Sequence, residues 1–218
     1  MTPGASWNAR RMTVTRQTEP ERPRIGRRPS TTHDALEAVA LELFTTRGFD
    51  ETSIDDIAAA AGIARRTFFR YYPSKSDLVW GEFDAELDRM RSWFAGASPD
   101  VPMMEAIRQA VIEFNRLPPD QVHQHRRRMS LILGVPTLLA NSTLRFAQWR
   151  AVLAAFAADR LGLRPDGLLP KVVGYSALGA TLAGYEEWLR DDGSDLLELL
   201  DAALGELAVG FHHHDRPG

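Results

Sequence analysis

The sequence predicts an all-α protein, and three observations support this fold class. Apolar residues recur at helical spacing along most of the chain, beginning with the stripe Leu36, Val39, Ala40, Leu43 and Phe44. Glycine and proline residues separate the successive helical runs. No run alternates between apolar and polar residues for long enough to form a sheet strand.

The composition is that of an ordinary globular protein with one large domain or two small ones. Of the 218 residues, 44% are hydrophobic and 25% are charged, and the formal net charge is −3. The lack of cysteine excludes a disulfide framework, a thiolate zinc site and a cysteine nucleophile. No stretch approaches 18 consecutive apolar residues, and the arginine-rich N-terminus has no apolar signal-peptide core. We therefore expect a soluble, cytoplasmic protein with no membrane partner.

Residues 1–30 are predicted to form a flexible basic arm. Seven arginines lie between positions 10 and 28, against two glutamates in the same stretch. Such an excess of positive charge suits contact with nucleic-acid phosphates, and the candidates for it are Arg24, Arg27 and Arg28. A disordered tail whose charge only aids solubility is the alternative interpretation.

Four helices are expected between the arm and residue 97. Three of them have capping signals, because Thr31, Ser53 and Ser74 each precede an aspartate by three residues. Gly48 is expected to end the first helix, Gly62 permits a tight turn after the second, and a proline ends the third. The expected helices span residues 31–47, 53–60, 64–71 and 74–96, the last as one long linking helix.

Five further helices are expected in the second half of the chain. Proline and glycine separate them at Pro118–Pro119, at Gly134–Pro136 and at Gly162–Pro165. The expected helices span residues 103–117, 119–133, 137–161, 168–190 and 194–211. The last two are rich in glycine and alanine, which permits close packing and predicts a symmetric four-helix dimer seam.

The two short helices on either side of Gly62 predict a helix-turn-helix. In this geometry the second helix lies in the DNA major groove, so Arg65, Arg66 and Thr67 in its first turn would meet base edges. Helix N-termini bind phosphates, and the candidates for phosphate contact are Thr52, Ser53 and Lys75. A helical hairpin of this shape also occurs in proteins that never bind DNA.

The stretch from Gly48 to Leu78, GFDETSIDDIAAAAGIARRTFFRYYPSKSDL, resembles the DNA-binding signature of the TetR family of transcriptional repressors. The resemblance implies a helix-turn-helix DNA-binding domain over residues 31–79 and an effector-binding and dimerisation domain over residues 80–218. It also implies a homodimer on a pseudo-palindromic operator of double-stranded DNA, with Tyr71 on the DNA side. The rest of the chain is similar to a narrower group, the transcriptional regulators of the mycofactocin system. That similarity implies target genes in the biosynthesis of a peptide-derived redox cofactor.

Three residues depart from the family pattern. Phe69 stands where a phosphate-contacting tyrosine is usual, Tyr72 where a buried phenylalanine is usual, and Ala64 where a serine often caps the recognition helix. Anchoring to the DNA backbone is therefore expected to depend more on Lys75, on the neighbouring tyrosine and on the arm. Within the arm, Arg24–Pro29 resembles the basic arms that some family members place in the minor groove.

The second half is predicted to hold an apolar cavity for a small-molecule effector. Methionine and aromatic side chains suit an adaptable apolar wall, although most such residues in a helical domain are simply core. The wall candidates are Met103, Met104, Ile107, Phe114, Phe146, Trp149 and Tyr175. The run His123–Arg128 is either a solvated helix face or an anion site at the cavity mouth, in which Arg127 and Arg128 hold phosphate. A long-chain acyl-CoA would suit the second interpretation.

No catalytic or metal-binding constellation stands out in the sequence. Gly174–Leu178 matches a nucleophile elbow only in part and lies inside a predicted helix, and the three histidines at residues 212–214 do not converge on a metal. The sequence therefore predicts no enzyme and no cofactor, but a ligand-responsive transcriptional repressor released from DNA by a small apolar or acyl-CoA-like effector. The alternatives are an activator or co-repressor-dependent regulator, and a small-molecule binding protein without regulatory DNA binding.

Overall fold

A computed structural model describes residues 32–210, and these residues form ten α-helices with no strand among them. The predicted all-α fold class is confirmed. The helices are α1 (His33–Arg47), α2 (Ile54–Ala60), α3 (Arg65–Tyr71), α4 (Lys75–Trp80), α5 (Phe83–Ala95), α6 (Met103–Phe114), α7 (Val122–Gly134), α8 (Pro136–Leu161), α9 (Leu168–Arg190) and α10 (Leu196–Val209). The predicted basic arm, with Arg24, Arg27 and Arg28, lies outside the described residues.

Helices α1 to α3 form the predicted helix-turn-helix unit, and each begins in a different way. The hydroxyl of Thr32 accepts a backbone N–H from the first turn of α1, so this cap lies one residue after the predicted Thr31. Ser53 and Asp56 begin α2 as a capping box. Ala64 precedes α3 without a side-chain hydrogen bond, as expected where a serine is missing.

One apolar core holds the short helices α2 and α3 to α1. Ile57 of α2 and Phe68 of α3 are completely buried in a cluster that includes Leu36 and Phe44 of α1. Gly62 lies between α2 and α3 with a φ of +66°, a conformation that residues with a Cβ rarely adopt. The turn and the shared core therefore fix α3 relative to α2, as a groove-binding hairpin requires.

The prediction of one long helix over residues 74–96 is wrong, because the chain breaks it at Gly81 between α4 and α5. Gly81 has a φ of +56°. A Cβ at this position would lie 2.9 Å from Nη1 of Arg128 and 3.0 Å from Oε1 of Glu37. The break therefore leaves room for a side-chain pair that joins α1 to α7, and no local pattern in the sequence signals such a distant contact.

The five C-terminal helices lie within a few residues of their predicted positions. Helix α6 ends at Phe114 and α7 begins at Val122, so the connection between them is longer than Pro118–Pro119 alone indicated. Helix α9 packs against both α8 and α10. None of the helices in residues 32–210 is both long and apolar enough to span a membrane.

The small residues of α9 serve two different surfaces. A Cβ on Gly174 would lie 2.9 Å from the backbone oxygen of Arg150, and a Cβ on Gly184 would lie 3.0 Å from Cδ2 of Leu200. A Cβ on Gly179 would meet nothing within 4 Å. Part of the predicted dimer pattern is therefore explained by packing of α9 on α8 and α10 of the same chain, and only the exposed residues remain available to a partner.

Candidate DNA-binding surface and effector cavity

The first turn of α3 presents an exposed surface with two positive charges. The side chains of Arg65 and Arg66 are exposed, and that of Thr67 is half-buried. Nη1 of Arg65 lies 2.7 Å from a carboxylate oxygen of Asp55 in α2, and the guanidinium lies 5.4 Å from the ring centre of Phe69. The structure thus brings the three predicted base-contacting residues together at one exposed helix end.

All three predicted phosphate contacts have partners within the chain, and that of Ser53 is Asp56 in the capping box. The hydroxyl of Thr52 donates a hydrogen bond to the carbonyl of Gly48 at 2.7 Å, and the residue is buried. Nζ of Lys75 donates to the backbone oxygens of Phe49 at 2.7 Å and Thr52 at 3.1 Å. Both side chains therefore hold the loop between α1 and α2, whereas Ser53 stays exposed at the N-terminus of α2. Direct DNA contacts by these three residues stay predictions.

Tyr72, one of the three departures from the family pattern, makes buried polar contacts that a phenylalanine cannot make. Its hydroxyl donates to Oε1 of Glu37 at 2.6 Å and lies 3.0 Å from Nδ1 of His33. The carboxylate of Glu37 also accepts a hydrogen bond from Nη2 of Arg128 in α7. Burial and the hydrogen bond to Glu37 raise the pKa of Tyr72 well above its usual value. Beside it, Tyr71 is half-buried with its ring centre 4.8 Å from that of His33.

A cavity of about 520 Å³ lies among α1 and α4 to α9. This volume is within the range of small-molecule binding sites. The largest apolar side chains in its wall are Trp80, Phe83, Phe114, Phe146, Trp149 and Met129. The charged residues in the wall include Asp34 and Glu37 of α1, so the cavity reaches the helix-turn-helix unit.

Four of the nine predicted ligand-binding residues line this cavity, namely Phe114, Arg128, Phe146 and Trp149. The other five lie elsewhere. The first turns of α6 place Met103, Met104 and Ile107 in or against the apolar core. Tyr175 is exposed on α9, with the guanidinium of Arg150 4.2 Å from its ring centre. Arg127 lies outside the cavity wall, with Nη1 2.6 Å from Oε2 of Glu42.

The arginines of the predicted anion site each have a partner within the chain. Arg126 donates to the backbone oxygen of Trp188 at 2.5 Å, and its guanidinium lies 4.3 Å from the centre of that ring. Arg127 and Arg128 form ion pairs with two glutamates of α1. The run thus ties α7 to α1 and α9, and Arg128 also lines the cavity, so an anion contact by Arg128 stays a prediction.

A polar group of three residues, buried Asn115 and Tyr185 with half-buried His125, forms another part of the cavity wall. The hydroxyl of Tyr185 donates to Oδ1 of Asn115, and Nε2 of His125 lies 2.7 Å from the same hydroxyl. Because this hydroxyl donates to the amide oxygen, it accepts from His125, which assigns the proton of the neutral ring to Nε2. Burial, together with the charge of Arg128, lowers the pKa of His125 to about 4.

Several residues of this site were not predicted from the sequence, including Glu37, Trp80, His125 and Tyr185. A signal for Glu37 is present, because a charged side chain stands on the apolar face of α1 at helical spacing from Ala40 and Leu41. Such a charge on a buried face requires a partner of opposite sign. The identity of that partner could not be inferred from the neighbouring residues.

A helix-turn-helix unit joined to a larger helical domain is the architecture of one class of protein, the helix-turn-helix transcriptional regulators. Residues 36–79 match the family described as "Bacterial regulatory proteins, tetR family", and residues 101–212 match the family described as "MftR C-terminal domain". The chain therefore belongs to the TetR family of transcriptional regulators and is not an enzyme. The predicted family resemblance is confirmed.

The relatives agree with this family assignment. The chain is 41% identical over 192 residues to the mycofactocin biosynthesis transcriptional regulator MftR of Mycobacterium tuberculosis. The matched region covers 88% of this chain and 97% of that protein. It is 30% identical over 200 residues to the regulator TcmR of Streptomyces glaucescens, and this matched region covers 86% of this chain and 88% of that protein.

Two solved structures share the fold. The fatty acid degradation regulator FadR from Bacillus halodurans has a TM-score of 0.61 and 17% identity, covering 82% of this chain and 99% of that chain. FadR from Bacillus subtilis, solved in complex with stearoyl-CoA, has a TM-score of 0.60 and 16% identity with the same coverage of both chains. At these identities the likeness shows the fold alone.

We predict that the free energy of unfolding falls less on acidification in His125→Gln than in the wild type. The folded chain keeps His125 neutral down to about pH 4, whereas the unfolded chain takes up a proton near its ordinary pKa of 6.5. The free energy of unfolding of the wild type should therefore fall as pH decreases from 6.5 to 4, by up to roughly 3 kcal/mol from this residue.

Urea unfolding at pH 7 and pH 5 measures this difference. The control is His123→Gln, because His123 is exposed on the same helix and should leave the pH dependence unchanged. An equal pH dependence in His125→Gln and the wild type would contradict the assignment of a neutral buried histidine.

Proposed function

We propose that this chain is a homodimeric repressor that leaves its DNA operator when a small molecule occupies the cavity. One observation carries the proposal: the cavity wall combines Asp34 and Glu37 of the helix-turn-helix unit with side chains of α5 to α9. A ligand in this position touches both domains, so it can favour one arrangement of them over another. A difference in effector affinity between the two arrangements is what couples effector binding to DNA release.

On the DNA side, α3 is the helix proposed to enter the major groove. Arg66 is proposed to read a base edge, because it is exposed in the first turn and arginine fits the O6 and N7 atoms of guanine. Arg65 is already paired with Asp55 and is the weaker candidate. In the dimer, two copies of α3 would occupy successive major grooves about 34–36 Å apart.

An exposed apolar row on α9 supports the proposed dimer. It follows one face of the helix at steps of three or four residues, through Leu168, Val172, Tyr175, Gly179 and Ala183. Leu168 is 82% exposed, and its place in a row of exposed apolar residues, rather than its own exposure, favours contact with another surface. A symmetric contact between two such rows would bury them and hold the two helix-turn-helix units at a fixed spacing.

The effector is proposed to be a long-chain acyl-CoA, with its acyl chain against the aromatic wall and its anionic head at the rim. Arg89 and Arg116 replace Arg127 as the candidates for the head group, because both lie at the exposed edge of the cavity, where each pairs with a glutamate three residues before it. The same fold holds stearoyl-CoA in Bacillus subtilis FadR. From the likeness to MftR we also infer that the regulated genes serve mycofactocin biosynthesis.

Arg66→Ala is expected to weaken operator binding about tenfold to a hundredfold, because one bidentate base contact contributes about 1–3 kcal/mol of discrimination. Fluorescence anisotropy measures this with a duplex selected from random DNA by the wild type, beside a scrambled duplex and at three salt concentrations. Arg164→Ala is the control, since Arg164 is exposed on the turn between α8 and α9. An unchanged affinity in Arg66→Ala would remove Arg66 from the DNA contact.

Val172→Glu is expected to convert the dimer to a monomer at micromolar concentration, because it places a charge in the middle of the proposed seam. Sedimentation velocity gives the oligomeric state. Leu144→Glu is the matched control, as Leu144 is exposed on α8 rather than on the α9 row. A wild type that sediments as a monomer would refute the dimer.

Leu182→Trp is expected to shift the preferred acyl-CoA to a shorter chain, because Leu182 lines the cavity and is only half-buried. Calorimetric titration with a series of acyl-CoAs from eight to eighteen carbons, and with free CoA, measures the preference. Leu161→Trp adds the same bulk at an exposed site outside the wall and should leave the preference unchanged. If no chain length gives binding heat with the wild type, acyl-CoA is not the effector.

A further inference from the structure

Arg128 lies where the cavity, α1 and the break between α4 and α5 meet. It lines the cavity, and its Nη2 donates to Oε2 of Glu37. The side chain of Glu37 is 8% exposed and that of Arg128 is 20% exposed. Charges with so little water around them interact more strongly than surface charges, so a third charged or polar group in the cavity would compete directly for this pair.

Two buried donors at this corner lack an acceptor within the described part of the chain. They are Nε of Arg128 and Nε1 of Trp80, and both residues line the cavity. Trp80 is 9% exposed, so water does not compensate its ring nitrogen freely. Either donor must move before a ligand oxygen in the cavity can reach it, and pairing it would then remove the free-energy cost of an unpaired buried donor.

The other oxygen of the Glu37 carboxylate faces the DNA-binding unit. Oε1 accepts the hydroxyl of Tyr72, the residue that directly follows the recognition helix α3, and that hydroxyl also contacts His33 at the start of α1. Glu37 is thus held from one side by the cavity residue Arg128 and from the other by the end of α3. A single carboxylate therefore connects Arg128 of the cavity wall to the residue that follows α3.

We propose that Arg128 recognises an acceptor oxygen of the effector, a carboxylate or a thioester carbonyl, in competition with Glu37. The exchange of partners releases Glu37 from α7 and alters the support of α3 through Tyr72. This inference rests on the proposed function, because it takes the cavity as the effector site. In this arrangement the acceptor oxygen is the group of the effector that the cavity binds, and Arg128 is the residue that binds it.

If the effector competes with Glu37 for Arg128, substitutions of the two residues should change effector affinity in opposite directions. A purely structural ion pair does not predict this difference. Glu37→Gln keeps an oxygen that can accept from Tyr72 but removes the negative charge that holds Arg128. Effector binding should therefore become tighter by about tenfold, while DNA binding becomes weaker. Arg128→Met removes the group that reads the ligand, so it should weaken effector binding about tenfold or more and abolish release from DNA.

The chain supplies a matched control pair on the same two helices. Arg127 and Glu42 form an ion pair between α7 and α1 at 2.6 Å, but neither residue lines the cavity. Glu42→Gln and Arg127→Met should leave both affinities within about twofold to threefold of the wild type, as expected for exposed pairs.

Calorimetry measures the affinity of the wild type and the four variants for palmitate and for palmitoyl-CoA. Fluorescence anisotropy measures their affinity for the selected operator duplex with and without palmitoyl-CoA. Urea unfolding shows whether Arg128→Met folds; if it does not, the comparison of Glu37→Gln with Glu42→Gln decides. Tighter palmitoyl-CoA binding by Glu37→Gln with no change in Glu42→Gln supports the inference. Equal affinities in these two variants overturn it while the effector proposal stands. A wild type that binds neither probe overturns both the acyl effector and this inference.

Discussion

The buried ion pair between Glu37 and Arg128 is the interaction on which the arrangement of the two domains depends. A carboxylate with so little exposure is stable only with a partner, and removal of one member of such a pair costs about 3–5 kcal/mol. Gly81 lies against this pair, with a φ of +56° and with room for a Cβ only if the ends of the Glu37 and Arg128 side chains shift. The pair thereby links three features: the helix break, the contact between α1 and α7 that the Arg127–Glu42 pair also supports, and the hydrogen-bond partner of Tyr72.

The arginine run of α7 shows how neighbouring residues of one helix can join several elements. Successive positions on a helix point about 100° apart, so three consecutive arginines cannot face the same way. Arg126 reaches the end of α9, Arg127 reaches the exposed face of α1, and Arg128 reaches the buried face of α1. The run is therefore mainly a clamp between helices, and only its last member is available to a ligand in the cavity.

The departures from the family pattern have opposite effects on the DNA-binding unit. Phe69 is 45% exposed and offers a ring to Arg65 in place of a hydroxyl that could reach a phosphate. Tyr72 instead adds a hydroxyl in the interior, where it joins the end of α3 to Glu37. The unit thus has an apolar ring on its outer surface and a buried hydroxyl that joins the end of α3 to Glu37, whose other carboxylate oxygen pairs with Arg128 of α7.

The sequence by itself determined the features that depend on residues within about one helical turn of each other. The capping box of Ser53 and Asp56, the glycine turn at Gly62, the exposed arginines of α3 and the family signature are all local patterns. The aromatic residues of the cavity were predicted only in part, because apolar periodicity marks a buried helix face without saying whether a core or a cavity covers it. The break at Gly81, the members of the cavity wall and the partners of the arginines were decided by the tertiary structure. Glu37 and Arg128 are 91 positions apart, and only the packing of α7 against α1 brings their charges together.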